Sequence, residues 1–227
     1  MNWLLAAITW IADPAHQTGP TGIWSRLWEH LGITASAVAL AALVGVPLGW
    51  FVGHTGHGRV FVVATAGVAR AVPTLGMLTL VALAMGVGVA APVVALVILA
   101  IPSILAGAYA GIDAIERSTI DAAYAVGYAP RQVLARVEVP LGLPALVGGL
   151  RSATLQVVAT ATLAAWVGGG GLGTLLFLGL KTQDYAQMLA ASMLVVGLAI
   201  VLEILLGVVE YLATHLTHRQ ATNLEGS

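Results

Sequence analysis

Apolar residues run along this chain in long blocks separated by short polar turns. A helix that crosses a bilayer needs about 20 mainly apolar residues, and five segments meet that need. The first, Leu31 to Gly53, is uncharged throughout. It follows a segment, Ile23 to His30, that carries Trp24, Arg26, Trp28 and Glu29, and it ends at the polar turn HTGHG. The stretch from Ala71 to Ile112 holds no charged residue; it is too long for one span and must fold back. GVGVAAP, Gly86 to Pro92, is the expected break, because Gly and Pro punctuate helices. The second span then covers 59–87, with a kink expected near Pro73, and the third covers 92–112. A polar segment from Asp113 to Glu138 follows, with seven charged residues. The fourth span, 143–167, carries only Arg151 and closes on the glycine run GGGGLG; the fifth, 187–215, has Glu203 and Glu210 in its later half.

These boundaries predict an N-terminal segment (1–29), a transmembrane domain (30–216) with a polar loop at 113–140, and a C-terminal tail (217–227). The first twelve residues, MNWLLAAITWIA, lack a basic n-region and are too short to span. They read as an interfacial helix, with Trp3 and Trp10 suited to the headgroup layer; a retained signal-anchor is the alternative. The expected fold class is an all-α membrane protein of five transmembrane helices.

Composition points the same way. Charged residues make up 8% of the chain, against roughly 25% in soluble domains, so a water-facing surface cannot be covered and lipid is the solvent. The net charge of -1 says nothing of partners, and no basic stripe or aromatic–basic interleaving points to nucleic acid. The cysteine count is zero, which excludes disulfides, thiolate metal sites and cysteine nucleophiles. If the 113–140 loop is cytoplasmic, the inner side holds Arg59, Arg117, Arg131, Arg136 and Arg219, with Arg151 near its edge. The outer side then holds Arg26 and Lys181. That bias predicts the N-terminus outside and the C-terminus inside.

The polar loop reads IDAAYAVGYAPRQVLARVEVPLGLP. Thr119 to Val126 is expected as a short helix with small alanines on one side, which lets another surface approach closely. Gly127 can take a positive φ and end that helix. Pro130 fits the first turn of a second short helix, Arg131 to Val137, and the two would make a compact knob. The bland reading is an ordinary polar loop. The spacing, however, resembles the EAA loop of ABC importer permeases: Glu-Ala-Ala, three residues, Gly, nine residues, Ile, one residue, Leu-Pro. Asp121, Ala122 and Ala123 stand for the first three; Gly127 follows at the expected place, and Val137, Val139 and Pro140 close the motif. Asp for Glu and Val for Ile and Leu are the departures. The resemblance implies a type I ABC importer permease core with a methionine-permease-like fold, and a loop that serves as coupling helix, docking in a groove of an ATPase subunit through residues including Pro130 and Arg131.

RAVPTLGMLTL (Arg70 to Leu80) and TATLAAWVGGGGLGTLLFLGL (Thr160 to Leu180) look like the permeases of osmoprotectant importers, which carry glycine betaine, choline, carnitine or related compounds. The resemblance covers roughly residues 30 to 215. It implies a bacterial cell-membrane subunit without catalytic chemistry of its own or a cofactor of its own, ATP and Mg belonging to the partner ATPase. It also implies two ATPase subunits, an extracytoplasmic solute-binding protein and a second permease, identical or paralogous. A permease for methionine or another small amino acid is the alternative. An ion-coupled secondary transporter would need buried ion ligands on broken helices, and an intramembrane enzyme would need a motif such as GxSG or HExxH, which is absent.

Candidate pathway or gate residues are Arg70, Pro73, Gln156, Thr160, Trp166 and Glu203. A charge within a span is a functional hypothesis by default: Arg70 lines the pathway, pairs with Glu203, or snorkels to the inner interface. Glu203 and Glu210 are seven apart and share a helix face. Glu203 is expected to bond Arg70, Arg151 or a backbone group, and Glu210 to sit at the inner interface. The glycine run 168–171 lacks the Lys-Ser/Thr of a P-loop and reads as a tight outer turn or a close helix contact. His54, His57, His215 and His218 have the HxxH spacing of a metal site, but no acidic or cysteine partner accompanies them; they read as solvated, and no metal site is expected. Ser103, Gln156, Thr160 and Thr162 either line a pathway or bond neighbouring helices, with Gln156 the foremost pathway candidate.

Overall fold

The computed structural model describes residues 2–225, except for the side chains of 63, 66, 68–70 and 216–225. The described residues form helices and no strands. A short helix α1 (Trp3–Ala12) leads through Asp13 into α2 (Pro14–Gln17). The Asp13 carboxylate accepts from the Ala15 N–H at 2.9 Å, so one residue ends α1 and caps α2.

Among the described residues, four stretches are long and apolar enough to cross a membrane: Ile23–Thr55 (α3), Ala90–Asp113 (α6), Pro130–Val167 and Tyr185–His215. At 33 residues, α3 extends about 50 Å. It begins at Ile23, so the segment with Arg26, Glu29 and His30 is its first two turns and not a lead-in. The region expected as one kinked span is two helices, α4 (Arg59–Ala71) and α5 (Thr74–Met85). Pro73 has extended backbone, φ −64° and ψ 113°; it lacks the N–H that would continue α4, and it disfavours helical backbone at Val72. The chain is therefore broken there, and neither piece alone reaches across a hydrocarbon core of about 30 Å.

The polar loop contains α7 (Arg117–Ala125) and α8 (Pro130–Val133). The expected second short helix is not separate. From α8 the chain passes through a π-helical turn, Leu134–Glu138, directly into α9 (Val139–Ala161). A 3-10 turn, Thr162–Val167, and the glycine run follow. They lead to α10 (Gly173–Thr182), which ends at Gln183 with φ 60°, and then to α11 (Tyr185–Glu225).

The chain packs as two units. One comprises Met1–Ala39, Val72–Ala100 and Thr154–Leu202; the other comprises Leu40–Ala71, Ile101–Ala153 and Glu203–Ser227. The core of the first gathers Ile23, Leu172, Leu175 and Ala191, covered by Trp10, Ile11, Leu27 and Leu198. The second is built on close backbone approach. A Cβ on Gly107 of α6 would fall 2.7 Å from the Gly149 Cα of α9, and one on Gly111 would collide with the Gly142 carbonyl oxygen. Gly45, Gly49 and Gly53 lie one turn apart on α3, against Ile104, Ala108 and Ile112 of α6. In lipid there is little hydrophobic gain from bringing helices together, so small residues that maximise contact carry the packing.

Candidate functional site: the short-helix loop and three polar clusters

The loop 113–140 lies in the second unit. The α7 helix ends on Gly127, which adopts φ 92°. The Gly127 N–H donates to the Tyr124 carbonyl at 2.9 Å and the Tyr128 N–H to the Ala123 carbonyl at 3.1 Å, the paired bonds of a Schellman motif. Pro130 opens α8, and the Gln132 side chain accepts from the Ala129 N–H at 2.9 Å, so the turn between the two helices is satisfied from both ends. Ala123 packs inward; Asp121, Ala122, Arg131 and Pro130 are exposed. Tyr124 and Val126 are exposed as well, the latter by 75%. Two apolar side chains beside small alanines, on a segment otherwise polar, form a surface that a partner can cover.

The loop is tied to the rest of its unit at Glu138. This carboxylate is buried at the end of the π turn, and its Oε2 lies 2.5 Å from His54 Nδ1 on the last turn of α3. The reading of His54 as solvated and without an acidic partner is thereby corrected: the partner lies 84 residues away. Arg59 Nη2 approaches Asp113 Oδ2 at 3.4 Å. Beside these pairs is a cavity of about 370 Å³, lined by His54, Arg59, Tyr109, Arg117, Asp121 and Glu138 among others. Val137 and Pro140 are half-buried on the helix that leaves the loop, so Pro140 lies within a continuous helix and not at its start. The π turn accommodates it: Val139 N–H reaches back to Leu134, and the ring of Pro140 has no N–H to place in an α pattern.

Elsewhere in the second unit, Arg151 of α9 meets two carboxylates of α11. Its Nε donates to Glu203 Oε2 at 2.9 Å, its Nη1 to Glu210 Oε2 at 2.6 Å, and its Nη2 to Glu203 Oε1. Glycines make the room. Gly207 faces the guanidinium, and a Cβ on Gly148 would come 3.1 Å from Glu210 Oε1. Glu210 is thus part of this cluster. The Arg70 side chain lies outside the described residues.

A third cluster belongs to the first unit. Glu29 Oε2 accepts from Arg26 Nη1 at 2.6 Å and from the Gly171 N–H at 2.9 Å. The glycine run bends through positive φ at Gly168, Gly170 and Gly171. This carboxylate holds the turn, and a pocket of about 370 Å³ lined by Arg26, Glu29, Ser36 and Gly168–Gly170 opens beside it. His30 is buried, with Nε2 3.0 Å from the Val158 carbonyl oxygen, a contact of the kind that fixes α3 against α9.

Of the pathway candidates, Pro73, Gln156, Thr160 and Trp166 fall in the first unit, and Arg70 and Glu203 in the second. Thr160 Oγ1 donates to the Gln156 carbonyl of its own helix at 2.7 Å. Trp166 is 61% exposed, with its ring 5.5 Å from that of Phe177. The 3-10 turn that carries Trp166 packs against both α5 and α10, and the Gly88 N–H donates to the Val167 carbonyl at 3.2 Å.

Residues 45–219 match the family described as binding-protein-dependent transport system inner membrane component. The chain is 31% identical over 194 residues to the choline transport system permease protein OpuBB of Bacillus subtilis, covering 86% of this chain and 89% of that one. It is 31% identical over 216 residues to the carnitine transport permease protein OpuCB of Listeria monocytogenes, covering 95% and 97%. Among solved structures it is similar to the MetNI methionine ABC transporter in inward-facing conformation, with TM-score 0.73 and 22% identity over 84% of this chain and 95% of that one. That likeness is one of fold, and the fold is the all-α importer-permease core expected from the sequence.

Proposed function

This chain belongs to the family of binding-protein-dependent transport system inner membrane components, and from that premise we propose that it is the permease of an ABC importer for a quaternary-ammonium osmoprotectant such as choline, carnitine or glycine betaine. The observation that carries the substrate class is the 31% identity, over 95% of the chain, to a carnitine permease, with a choline permease equally similar. The cargo crosses by alternating access as the helices rearrange; hydrolysis of ATP with Mg belongs to partner ATPase subunits. An extracytoplasmic solute-binding protein delivers the cargo, and a second permease, identical or paralogous, completes the pathway. The chain lies in the bacterial inner membrane with its N-terminus outside and its C-terminus in the cytoplasm.

In this reading the α7–Gly127–α8 knob docks on the ATPase. The exposed Tyr124 and Val126, the small side chains of Ala122 and Ala125, and the paired capping of the turn support it: the knob is rigid and has an apolar face. Asp121, Ala122, Ala123, Gly127, Pro130 and Arg131 form it, and Val137 and Pro140 join it to α9. Trp166 is the foremost pathway candidate, being aromatic, exposed and on a turn packed against α5. Pro73, Gln156 and Thr160 share its unit. Glu203, held by Arg151, is better suited to structure than to cargo.

The test is uptake into proteoliposomes that contain the chain with its second permease, ATPase and binding protein. Labelled choline, carnitine or glycine betaine should accumulate only with ATP inside, and each should compete with the others. Accumulation driven by an ion gradient without ATP would remove the ABC reading. Competition by methionine alone would move the chain to the amino-acid branch.

A further inference from the structure

We propose that His54 and Glu138 are a positioning pair that sets the angle of the α7–α8 knob on its span and passes the knob's movement to α3. The inference rests on the reading of that knob as the ATPase-docking element. Glu138 is 4% exposed, and His54 at 2.5 Å is its one partner among the described residues. A carboxylate buried to this degree is costly unless it is paired, so the contact fixes the end of α3 to the loop's exit.

The place of the contact gives it a lever. Glu138 is the last residue of the π turn Leu134–Glu138, which accommodates one residue more than an α-helical path would. Such turns are rare and concentrate at functional sites. Were it to relax into α geometry, everything before it on that helix would swing about the axis by roughly one residue's rotation, about 100°. Pro130, Gly127 and α7 would swing together, because the paired bonds at Gly127 and the Gln132 cap join them. Pro140, two residues after Glu138, has no N–H to donate to either pattern, so the helix is held by one bond fewer at this point and resists a change of pitch less. The π turn is the swivel on which the knob's angle depends, and the His54–Glu138 contact holds the setting observed. Asp121 lines the cavity beside this contact, so the motif carboxylate and the latch share one polar space. The exposed Arg59–Asp113 pair nearby, at 3.4 Å with side chains 66% and 38% exposed, is too solvated to serve as the latch.

The experiment measures ATP hydrolysed per cargo molecule taken up by the complete transporter in proteoliposomes. Three variants of this chain are compared: His54→Leu, His54→Asn and the double variant His54→Leu/Glu138→Leu. In His54→Leu the ratio should rise by about two- to thirtyfold, the range over which mutations along a coupling element act. His54→Asn keeps a donor near the position of Nδ1 and should stay close to wild type. The double variant removes the unpaired charge, so it should insert and assemble normally and yet stay uncoupled. Wild-type coupling in the assembled double variant would reduce the pair to packing and overturn the proposal. It serves as well if His54→Leu alone fails to fold. The variant Ala125→Cys tests the reading beneath. If it cross-links to the ATPase while every pair variant stays coupled, the latch fails and the docking knob stands. If it does not cross-link, the docking reading fails.

Discussion

Arg151 on α9 donates from Nη1 to the Glu210 carboxylate on α11 at 2.6 Å, and the same guanidinium engages Glu203, one heptad earlier on α11, through Nε and Nη2. One cation thus holds two carboxylates within membrane-spanning helices. Charges within spanning helices are tolerated when they face one another or a water-filled space, and the planar fork of arginine suits two acceptors at once.

Replacing Arg151 with Leu should therefore cost more than replacing either carboxylate. The two glutamates would be left without a cation, and severalfold less folded protein should survive detergent extraction, as read by fluorescence-detected size-exclusion chromatography. Arg151→Lys should fall between, because an ammonium cannot reproduce the fork. The triple variant Arg151→Leu/Glu203→Leu/Glu210→Leu should regain yield, since it leaves no charge unmatched. Equal yields for Arg151→Leu and wild type would show that the cluster holds nothing.

The glycine contacts between α6 and α9 predict a sharp positional contrast. A Cβ on Gly107 would meet the Gly149 backbone at 2.7 Å, whereas one on Gly197 of α11 would meet nothing within 4 Å. Gly107→Val should destabilise by about 1–3 kcal/mol or more, as overpacking does, while Gly197→Ala should be neutral or slightly favourable through helix propensity. Thermal unfolding in detergent micelles gives both; equal midpoints for the two would refute the close approach.

Gly127 differs from both, because its surroundings are open and its constraint is the backbone. No atom lies within 4 Å of a Cβ built there, but φ is 92°. An alanine should cost about 1–2 kcal/mol for the left-handed backbone, with asparagine milder. The fold should insert as before. What should change is the stimulation of ATP hydrolysis by cargo-loaded binding protein, expected to fall in the order Gly, Asn, Ala, Val. Stimulation indifferent to this series would count against the knob as docking element.

Much of this architecture is legible in the sequence, and the rest fails to be for identifiable reasons. Uncharged blocks and Gly-Pro punctuation mark the spanning helices because apolar length and backbone chemistry are local properties. Pro73 reads as a kink and is a break; the difference arises because Pro73 itself turns extended and begins α5. The helix α10 is hidden behind the glycine run, whose turn signal dominates the reading of residues 168–180. The π turn has no sequence signature beyond the proline after it. The partners of Glu138 and Arg151 lie 84, 52 and 59 residues away, and a spacing rule cannot reach them. The loop motif, by contrast, is short, and its glycine and proline each meet a local need, so the turn at Gly127 and the helix start at Pro130 are readable from the chain alone.

The glycine run yields the last prediction. Gly170 has φ +82°, and a Cβ there would come 2.7 Å from Glu29 Oε2, the oxygen that accepts from the Gly171 N–H at 2.9 Å. Gly170→Ala therefore does two things: it strains the backbone by about 1–2 kcal/mol, and it pushes Glu29 off the turn it holds. Glu29→Gln does a milder version, since a neutral oxygen can still accept from Gly171 while the charge opposite Arg26 is lost. If the turn serves transport by holding Trp166 and α10 in place, uptake should fall in both variants, further in Gly170→Ala, while basal ATP hydrolysis by the assembled transporter stays unchanged, because the knob is untouched. The measurement is initial uptake rate alongside hydrolysis in the same vesicles. Uptake in Gly170→Ala equal to wild type would show that the turn tolerates displacement of Glu29 and takes no part in transport.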